Sequence, residues 1–381
     1  ELPLLKKEEL CCAEKIESFI KEKKSLAFKN MHFQKSGEVT QSPLFSLYTP
    51  VFKIHSRPSL KIQDGCNNNC SFCRIHLARG KSVSLDADRV LERVLQLEQN
   101  GADEVVLTGV NLTQYNGVLK NAGSFGKDKV LDLTKLLRFL LENTSKISIR
   151  ISSLYPQSVT EEFAEVIKNP RIRPFFHLSV QSGSNAVLKN MRRPYTRETV
   201  LSAVERLRRS KNAPFISCDI IAGFPGETDD DFLQTLSLSR EVSFSWIHVF
   251  PFSARPGTDA FSMKNQVPSS VKSLRAKELI DEAVKSKIAY INSFAGKVLP
   301  AVTEQSRAER LSSDKKNSGL KKYHAVTSNY IHVEFESEEP VEQGKTVFVK
   351  IESCIEENIL KQEETEAKAL FYSVSESSLG S

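Results

Sequence analysis

Three cysteines spaced Cys-x3-Cys-x2-Cys are the residues of this sequence best suited to chemistry. Cys66, Cys70 and Cys73 lie in the stretch GCNNNCSFCRIHLARG, residues 65–80. Structural zinc sites and most iron–sulfur sites take four protein ligands, and no fourth cysteine follows this stretch closely. His76 comes only three residues after Cys73, which leaves a zinc site as the weaker alternative. We interpret the three thiolates as ligands of a [4Fe–4S] cluster whose fourth iron is open to a substrate or cofactor.

The remaining cysteines and the composition indicate the cellular compartment of the protein and do not predict a second metal site. Cys11 and Cys12 are adjacent, Cys354 stands alone, and Cys218 lies in an apolar run that predicts a core position. This uneven placement argues against a secreted disulfide framework and for a reducing compartment. With no visible signal peptide and no apolar run of about 18 residues, we expect a cytoplasmic protein without a membrane segment. The net charge of +6 permits a nucleic-acid partner but does not require one.

Short apolar runs alternate with amphipathic stretches in the middle of the chain. The runs are rich in Val, Ile and Phe, as buried parallel strands are: 59–63, 103–109, 147–152, 174–180, 215–223 and 245–250. The stretches with helical periodicity are 86–99, 131–143, 158–168, 196–209, 229–241 and 269–293. Repeated strand–helix units predict an α/β fold, either an open parallel sheet or, with six units, a partial (β/α) barrel. In both, chemistry lies at the carboxyl ends of the strands.

The two ends of the chain have a different pattern. Residues 294–356 contain short alternating strands and predict a small antiparallel β-barrel. Residues 357–381 are acidic and rich in Ser, which predicts a flexible tail. Residues 1–54 read as a helix and a connector, and the chain begins with Glu1 rather than Met. We therefore expect residues 1–54 to be the remnant of a longer N-terminal domain.

The cysteine spacing resembles that of the radical S-adenosylmethionine (SAM) superfamily. The resemblance implies that the open iron binds SAM and that an electron from the cluster cleaves SAM to a 5′-deoxyadenosyl radical. It places Phe72 near the adenine, and it places the SAM amino group beside the loop after the second strand. Many members have Gly-Gly-Glu in that loop, where this chain has Thr108, Gly109 and Asn111. Further cofactor contacts implied after the later strands are the ribose at Ser153, a polar contact at Gln181 and close backbone approach at Gly223.

Several longer sequence motifs resemble those of one family of that superfamily, the methylthiotransferases. QDGCNNNCSFC, VLTGVNL, SSLYP, GFPGETDDDF and HVFPFSARPGT are closest to the branch that modifies threonylcarbamoyladenosine in tRNA. The likeness covers residues 55–293, the radical SAM core, and the β-barrel resembles the RNA-binding TRAM domain. It implies methylthiolation of C2 of the modified adenosine-37 next to the anticodon. It also implies a tRNA substrate and an electron donor of the flavodoxin or ferredoxin type.

The chain departs from this family in two places. The relatives hold a second [4Fe–4S] cluster with three more cysteines in an N-terminal domain, and Cys11 with Cys12 cannot supply three separated ligands. We therefore expect SAM cleavage but little methylthio product from this chain alone. The relatives also usually have an apolar pair and Pro-Tyr before Ala-Arg-Gly, where this chain has Arg74 and His76. Charge beside the cluster can shift its potential.

Basic residues after the fourth and sixth strands are candidate substrate contacts. Arg192, Arg193 and Tyr195 combine phosphate contact with stacking, as suits RNA, although a solvated helix end has the same composition. Arg255 either faces the substrate or bonds local carbonyls. The basic run 307–322 is a further candidate for tRNA phosphates or a solvated loop. Asp64 and His177 are expected to be structural.

Three other functions remain as alternatives at this stage. Two are also methylthiolations, of isopentenyl-adenosine in tRNA or of a ribosomal-protein aspartate. The isopentenyl branch usually has Gly-Gln-Asn where this chain has TGVN, and the aspartate branch is expected to have a more acidic β-barrel. The third alternative is an RNA-binding remnant that binds a cluster without completing the reaction. The intact Cys-x3-Cys-x2-Cys stretch argues against that alternative.

Overall fold

The computed structural model describes residue 45 and residues 56–120, 129–304 and 320–374. The predictions for the rest of residues 1–54, for most of the basic run 307–322 and for residues 375–381 lie outside the described residues.

Parallel strands form the partial barrel that the sequence predicts. Its strands are β1 Ser59–Asp64, β3 Glu104–Gly109, β6 Ser148–Ile151, β7 Ser153–Leu154, β8 Phe175–Gln181, β9 Phe215–Ala222 and β10 Trp246–Pro251. One sheet has β1, β3 and β6 side by side, and the next has β7, β8, β9 and β10. Because only Ser152 separates β6 from β7, the two sheets follow one another around the barrel. Three short strands complete this part of the fold: β2 Val83–Ser84, β4 Asn116–Leu119 and β5 Lys129–Asp132. The strand β2 pairs with β1 at the edge of the first sheet, and β4 and β5 pair with each other.

Helices follow most of the strands, and the longer ones bury their apolar faces against the sheets. They are α1 Ile75–Arg79, α2 Ala87–Gln99, α3 Leu133–Asn143, α4 Glu161–Ile167, α5 Asn185–Asn190, α6 Arg197–Ser210, α7 Asp229–Val242, α8 Asp259–Ser262 and α9 Ser269–Asn292. The predicted N-cap Thr196 forms a capping box with Thr199 at the start of α6. The other predicted N-cap, Asp86, precedes α2 without a side-chain capping bond. Thr228 caps α7 through the backbone N–H of Asp231.

Alternation along the strands separates an apolar outer face from a polar barrel interior. In β8, Phe176, Leu178 and Val180 are fully buried against the helices. The intervening His177 contacts Ser217 and Asp219 of β9 instead. Since side chains alternate between faces at every residue of a strand, this register assigns polar groups to the interior. Cys218 is fully buried in the apolar core, as predicted.

A closed β-barrel of five strands follows the partial barrel. Its strands are β11 Val298–Glu304, β12 Lys321–Thr327, β13 His332–Ser337, β14 Thr346–Cys354 and β15 Ala367–Ser373. The helix α10, Glu356–Lys361, joins β14 to β15. All pairs are antiparallel except β13 with β15.

The prediction of a flexible tail from residue 357 is wrong for the residues up to 373. β15 pairs with both β13 and β14 and closes the barrel. Ala367 and Ala369 of β15 are buried, because every second residue of the strand faces the barrel core. The acidic residues that suggested a tail lie in α10 and the loop after it, where Glu357, Glu363 and Glu364 are exposed.

None of the helices among the described residues is both long and apolar enough to cross a membrane.

Candidate active site

The cysteine loop begins directly after β1, at the carboxyl edge of the partial barrel. Gly65 has a φ of +71°, and a Cβ there would lie 2.1 Å from the carbonyl oxygen of Lys81. Only glycine fits this turn. The N–H of Cys66 donates to the carbonyl of Gly80 at 3.1 Å, which closes residues 66–80 into one loop. Cys66 and Cys70 are buried and Cys73 is half-buried.

The loop is fixed by bonds to the segments that follow other strands. The N–H of Asn67 donates to Gln114 Oε1 at 2.8 Å, after β3. The hydroxyl of Ser71 donates to the carbonyl of Asn190 at 2.8 Å, after β8. The carbonyl of Ser71 accepts from the N–H of Ala260 at 2.8 Å, after β10. Three positions around the barrel therefore hold the cysteines in place.

Each of the three sulfurs has a nitrogen donor near it. Backbone N–H groups approach two of them: Asn68 N lies 3.4 Å from Cys66 Sγ, and Ile75 N lies 3.4 Å from Cys73 Sγ. Asn111 Nδ2 lies 3.6 Å from Cys66 Sγ. Arg193 Nη1 lies 3.5 Å from Cys70 Sγ. Donors aimed at sulfur suit thiolates that ligate metal.

The surroundings of Cys70 combine burial with nearby thiols and a cation. Burial raises the pKa of the Cys70 thiol most strongly, the Cys73 and Cys66 thiols raise it further, and Arg193 opposes them. Among the described residues no three Cys, His, Asp or Glu side chains meet around one metal ion. A [4Fe–4S] cluster needs a different arrangement, because its cysteines bind separate irons. Three thiols of one loop, two buried and one half-buried, each with a nitrogen donor near its sulfur, fit such a cluster.

A cavity of about 300 Å³ opens beside the cysteine loop. Phe72, between Cys70 and Cys73, forms one wall, and Gln181 at the end of β8 and Asp219 within β9 form another. Arg255 and Phe250 line it from β10 and the loop that follows. The structure thus brings together three of the residues predicted from the sequence, Phe72, Gln181 and Arg255. A cavity at the carboxyl ends of barrel strands is where this architecture places chemistry.

The loop after β3 reaches the cysteines through Asn111. Gln63 Oε1 accepts from the N–H of Asn111 at 2.7 Å. A Cβ on Gly109 would lie 2.9 Å from the same Gln63 oxygen, so the glycine permits this close packing. Asn111 Oδ1 is buried and has no hydrogen-bond partner in the part of the chain that the structure describes. Thr108 is half-buried next to Gly109 at the end of β3.

Of the seven predicted cofactor residues, five do not line this cavity, among them Gly223 and Ser153. Gly223 has a φ of +74°, and a Cβ there would lie 2.1 Å from Lys272 Cγ. The side of Gly223 that lacks a side chain is therefore filled by Lys272 of α9. Its N–H donates to Glu227 Oε2 at 2.7 Å. Ser153 lines a different cavity of about 370 Å³, together with Arg57, Arg150 and Tyr330. The ribose and backbone contacts assigned to these two positions stay predictions.

The basic segment after α5 divides into residues with different surroundings. Arg192 Nη1 pairs with Asp259 Oδ2 at 2.5 Å on the surface. Arg193 points the other way, to Cys70 and to Tyr155 Oη at 2.6 Å. Tyr195 is buried, and its hydroxyl donates to the carbonyl of Ser179. Tyr195 therefore has no exposed face for a base to stack on, and Arg255 is the predicted substrate residue that is exposed at the cavity.

Three features of this region were not predicted as functional from the sequence. His177 Nε2 lies 3.0 Å from Asp219 Oδ2, and the two line neighbouring cavities of the barrel interior. Tyr155 contacts Arg193 beside the cysteines. Gln114 Nε2, after β3, donates to Asn68 Oδ1 of the cysteine loop at 2.9 Å. Their positions in the sequence gave no functional signal: His177 and Asp219 lie within β8 and β9, and Tyr155 and Gln114 follow β7 and β3.

Comparison with known proteins agrees with this architecture. Residues 60–239 match the family model of the radical SAM superfamily. The chain is 49% identical over 278 residues to the threonylcarbamoyladenosine tRNA methylthiotransferase MtaB of Treponema pallidum, which covers 73% of this chain and 55% of that protein. It is 37% identical to the protein of the same name from Bacillus subtilis, over 80% of this chain and 64% of that one. This chain therefore contains a radical SAM domain and resembles the MtaB proteins over about three quarters of its length.

Other relatives carry a different substrate in their names. The tRNA-2-methylthio-N(6)-dimethylallyladenosine synthase of Fusobacterium nucleatum is 35% identical over 65% of this chain and 55% of that protein. The chain spans between about half and two thirds of the length of these curated relatives. The match of residues 60–239 to the radical SAM superfamily implies a [4Fe–4S] cluster and SAM as cofactors of that domain.

Proposed function

We propose that this chain provides the radical SAM core of a tRNA methylthiotransferase that modifies C2 of N6-threonylcarbamoyladenosine at position 37. The observation that carries the proposal is the cysteine loop at the end of β1, with its three neighbouring thiols beside the cavity lined by Phe72 and Gln181. This arrangement supports a cluster with one open iron that faces a cofactor-sized space. The radical SAM domain and the resemblance to the MtaB proteins agree with the same chemistry.

Within this proposal the residues have separate roles. Cys66, Cys70 and Cys73 hold the cluster, which supplies the electron that cleaves SAM. Asn111 has a buried Oδ1 near Cys66 that no described residue hydrogen-bonds, an acceptor suited to an ammonium group. Phe72 and Gln181 bound the cofactor space, and exposed Arg255 contacts the substrate from the rim. Thr108 and Gly109 position Asn111 at the end of β3.

The proposed substrate is the threonylcarbamoyl nucleoside rather than the isopentenyl one. Two relatives named for the first are 49% and 37% identical to this chain, and one named for the second is 35% identical. The TGVN motif, residues 108–111 at the end of β3, supports the same choice of substrate. The RNA partner is a tRNA, and the reducing partner is a flavodoxin- or ferredoxin-type electron donor.

The first experiment is anaerobic reconstitution of the chain followed by iron and sulfide analysis and SAM cleavage with dithionite. We expect about four irons per chain, as for one cluster, and formation of 5′-deoxyadenosine. Cys70→Ala should lose both, because a thiolate ligand is removed. Cys354→Ala, at a half-buried cysteine of the β-barrel, is the matched control and should keep both. A Cys70→Ala protein that retains iron and cleavage would contradict the proposed ligation.

Substrate choice is tested with two tRNAs that differ only at position 37, one with threonylcarbamoyladenosine and one with isopentenyladenosine. We expect hydrogen abstraction from the first alone, read as deuterium transfer from C2 into 5′-deoxyadenosine by mass spectrometry. Transfer from the isopentenyl nucleoside at an equal rate would refute the substrate assignment.

The number of clusters is a separate part of the proposal. We infer that this chain holds one cluster and makes little methylthio product by itself, since three further separated cysteines are missing from residues 1–54. About eight irons per chain, or robust product from the chain alone, would show that it binds a second cluster.

A further inference from the structure

Arg193 is enclosed by aromatic rings beside the cysteine loop. Its guanidinium carbon lies 5.3 Å from the ring centroid of Phe72, 4.8 Å from that of Tyr155 and 5.8 Å from that of Tyr195. Its Nη1 lies 3.5 Å from Cys70 Sγ and 2.6 Å from Tyr155 Oη. The enclosure holds a planar cation against one particular sulfur.

The backbone directs this side chain inward. Arg192 has a φ of +58°, a left-handed conformation that is uncommon for arginine. The turn sends Arg192 to Asp259 on the surface and Arg193 to Cys70, although the two residues are adjacent. The N–H of Arg193 donates to the carbonyl of Leu188 at 2.9 Å, which fixes the turn to α5. A non-glycine residue in this conformation is strained, so the surrounding contacts must maintain it.

No carboxylate neutralises Arg193 within the described ranges. Its polar partners there are the Cys70 sulfur and the Tyr155 hydroxyl, and its Nε is buried without a partner. This contrasts with Arg150 and Arg275, whose buried guanidinium groups pair with glutamates. The positive charge of Arg193 therefore acts on the sulfur without a carboxylate from the described residues to offset it.

We propose that Arg193 is a positioning residue that raises the reduction potential of the cluster held by Cys66, Cys70 and Cys73. The inference rests on the proposed function and adds a role for a residue outside the ligand set. One-electron reduction of the cluster, by dithionite or a protein donor, adds one negative charge to it. A fixed cation near a ligand sulfur stabilises the reduced form more than the oxidised form, because net charge and hydrogen bonds to sulfur set the potential.

The experiment is a redox titration of the reconstituted full chain, followed by the electron paramagnetic resonance signal of the reduced cluster, without SAM or tRNA. We expect Arg193→Gln to lower the equilibrium constant for reduction by about tenfold, which is about 59 mV for a one-electron couple. Arg193→Lys keeps the charge and should stay closer to the wild-type potential. Arg192→Gln is the matched control: it removes the same charge one residue away, and its potential should equal that of the wild type.

The outcomes separate this inference from the proposed function. A wild-type chain that holds about four irons and cleaves SAM, with an unchanged potential in Arg193→Gln, overturns the role of Arg193 alone. An equal shift in Arg192→Gln overturns it as well, since it shows a general charge effect. If Arg193→Gln cannot hold the cluster, the iron content and the reduction potential of Arg193→Lys test the role of the charge instead. A lysine variant with a full cluster at the wild-type potential supports the role of charge, and one without a cluster refutes it.

Discussion

Arg150 Nε lies 2.7 Å from Glu104 Oε1 inside the partial barrel, and both side chains are almost fully buried. Arg173 Nε lies 2.7 Å from the other oxygen of the same carboxylate. Arg150 Nη2 also donates to the carbonyl of Thr327 in the β-barrel at 3.4 Å. One glutamate thus neutralises arginines of two segments, and one of these arginines links the partial barrel to the β-barrel.

Replacement of Glu104 is expected to destabilise the protein strongly. Glu104→Gln leaves two buried arginines without their shared anion, which should lower the free energy of unfolding by about 3–5 kcal/mol. Denaturant unfolding followed by circular dichroism measures the loss. Glu92→Gln is the control, because Glu92 pairs with Arg89 on the exposed face of α2 and should change stability by less than about 1 kcal/mol. A similar small effect of both variants would contradict the structural role of Glu104.

The same carboxylate predicts how stability depends on acid. Burial alone raises the pKa of Glu104, but Arg150 and Arg173 outweigh it and lower the pKa from 4.5 to about 2. Because the folded pKa is lower than the unfolded one, the unfolded state binds more protons between these values. Stability from Glu104 is therefore complete above pH 4.5 and decreases as the pH falls toward 2. Unfolding free energies measured across this range should fall less steeply in Glu104→Gln than in the wild type.

The turn before Cys66 is expected to tolerate only glycine. In Gly65→Ala the new methyl group would meet the Lys81 carbonyl at 2.1 Å, in addition to the cost of a positive φ. We expect loss of bound iron after reconstitution, because the loop between Cys66 and Gly80 must open. Gly296→Ala is the control, with a φ of +78° and nothing within 4 Å of the added Cβ. Its iron content should match the wild type, and equal iron in both variants would refute the steric argument.

The closing strand of the β-barrel predicts the result of a truncation. A chain that ends at residue 356 lacks β15 and exposes edges of β13 and β14 that are paired in the intact barrel. We expect rapid proteolysis within residues 298–356, since the barrel loses two buried alanines and its closure. A chain that ends at residue 374 keeps β15 and should resist the protease like the full chain. Equal resistance of both truncated chains would show that β15 is dispensable.

The sequence by itself determined the local features of this protein. Alternation and apolar runs predicted the six main strand segments between residues 59 and 250 and the helices around them, because periodicity reports which face of an element is buried. The spacing of Cys66, Cys70 and Cys73 indicated a cluster without reference to any neighbour in space. Parallel order then placed Phe72, Gln181 and Arg255 at one edge, where the structure finds them around a single cavity.

Only the tertiary structure decided which groups face each other. Arg192 and Arg193 have the same chemistry in the sequence, and a left-handed turn sends one to Asp259 and the other to Cys70. The segment 367–373 became a barrel strand because β13 and β14 offered two open edges to it. Glu104 and Arg173 meet across 69 positions of sequence. Periodicity describes one element at a time, whereas such pairs depend on the register and direction with which separate elements pack.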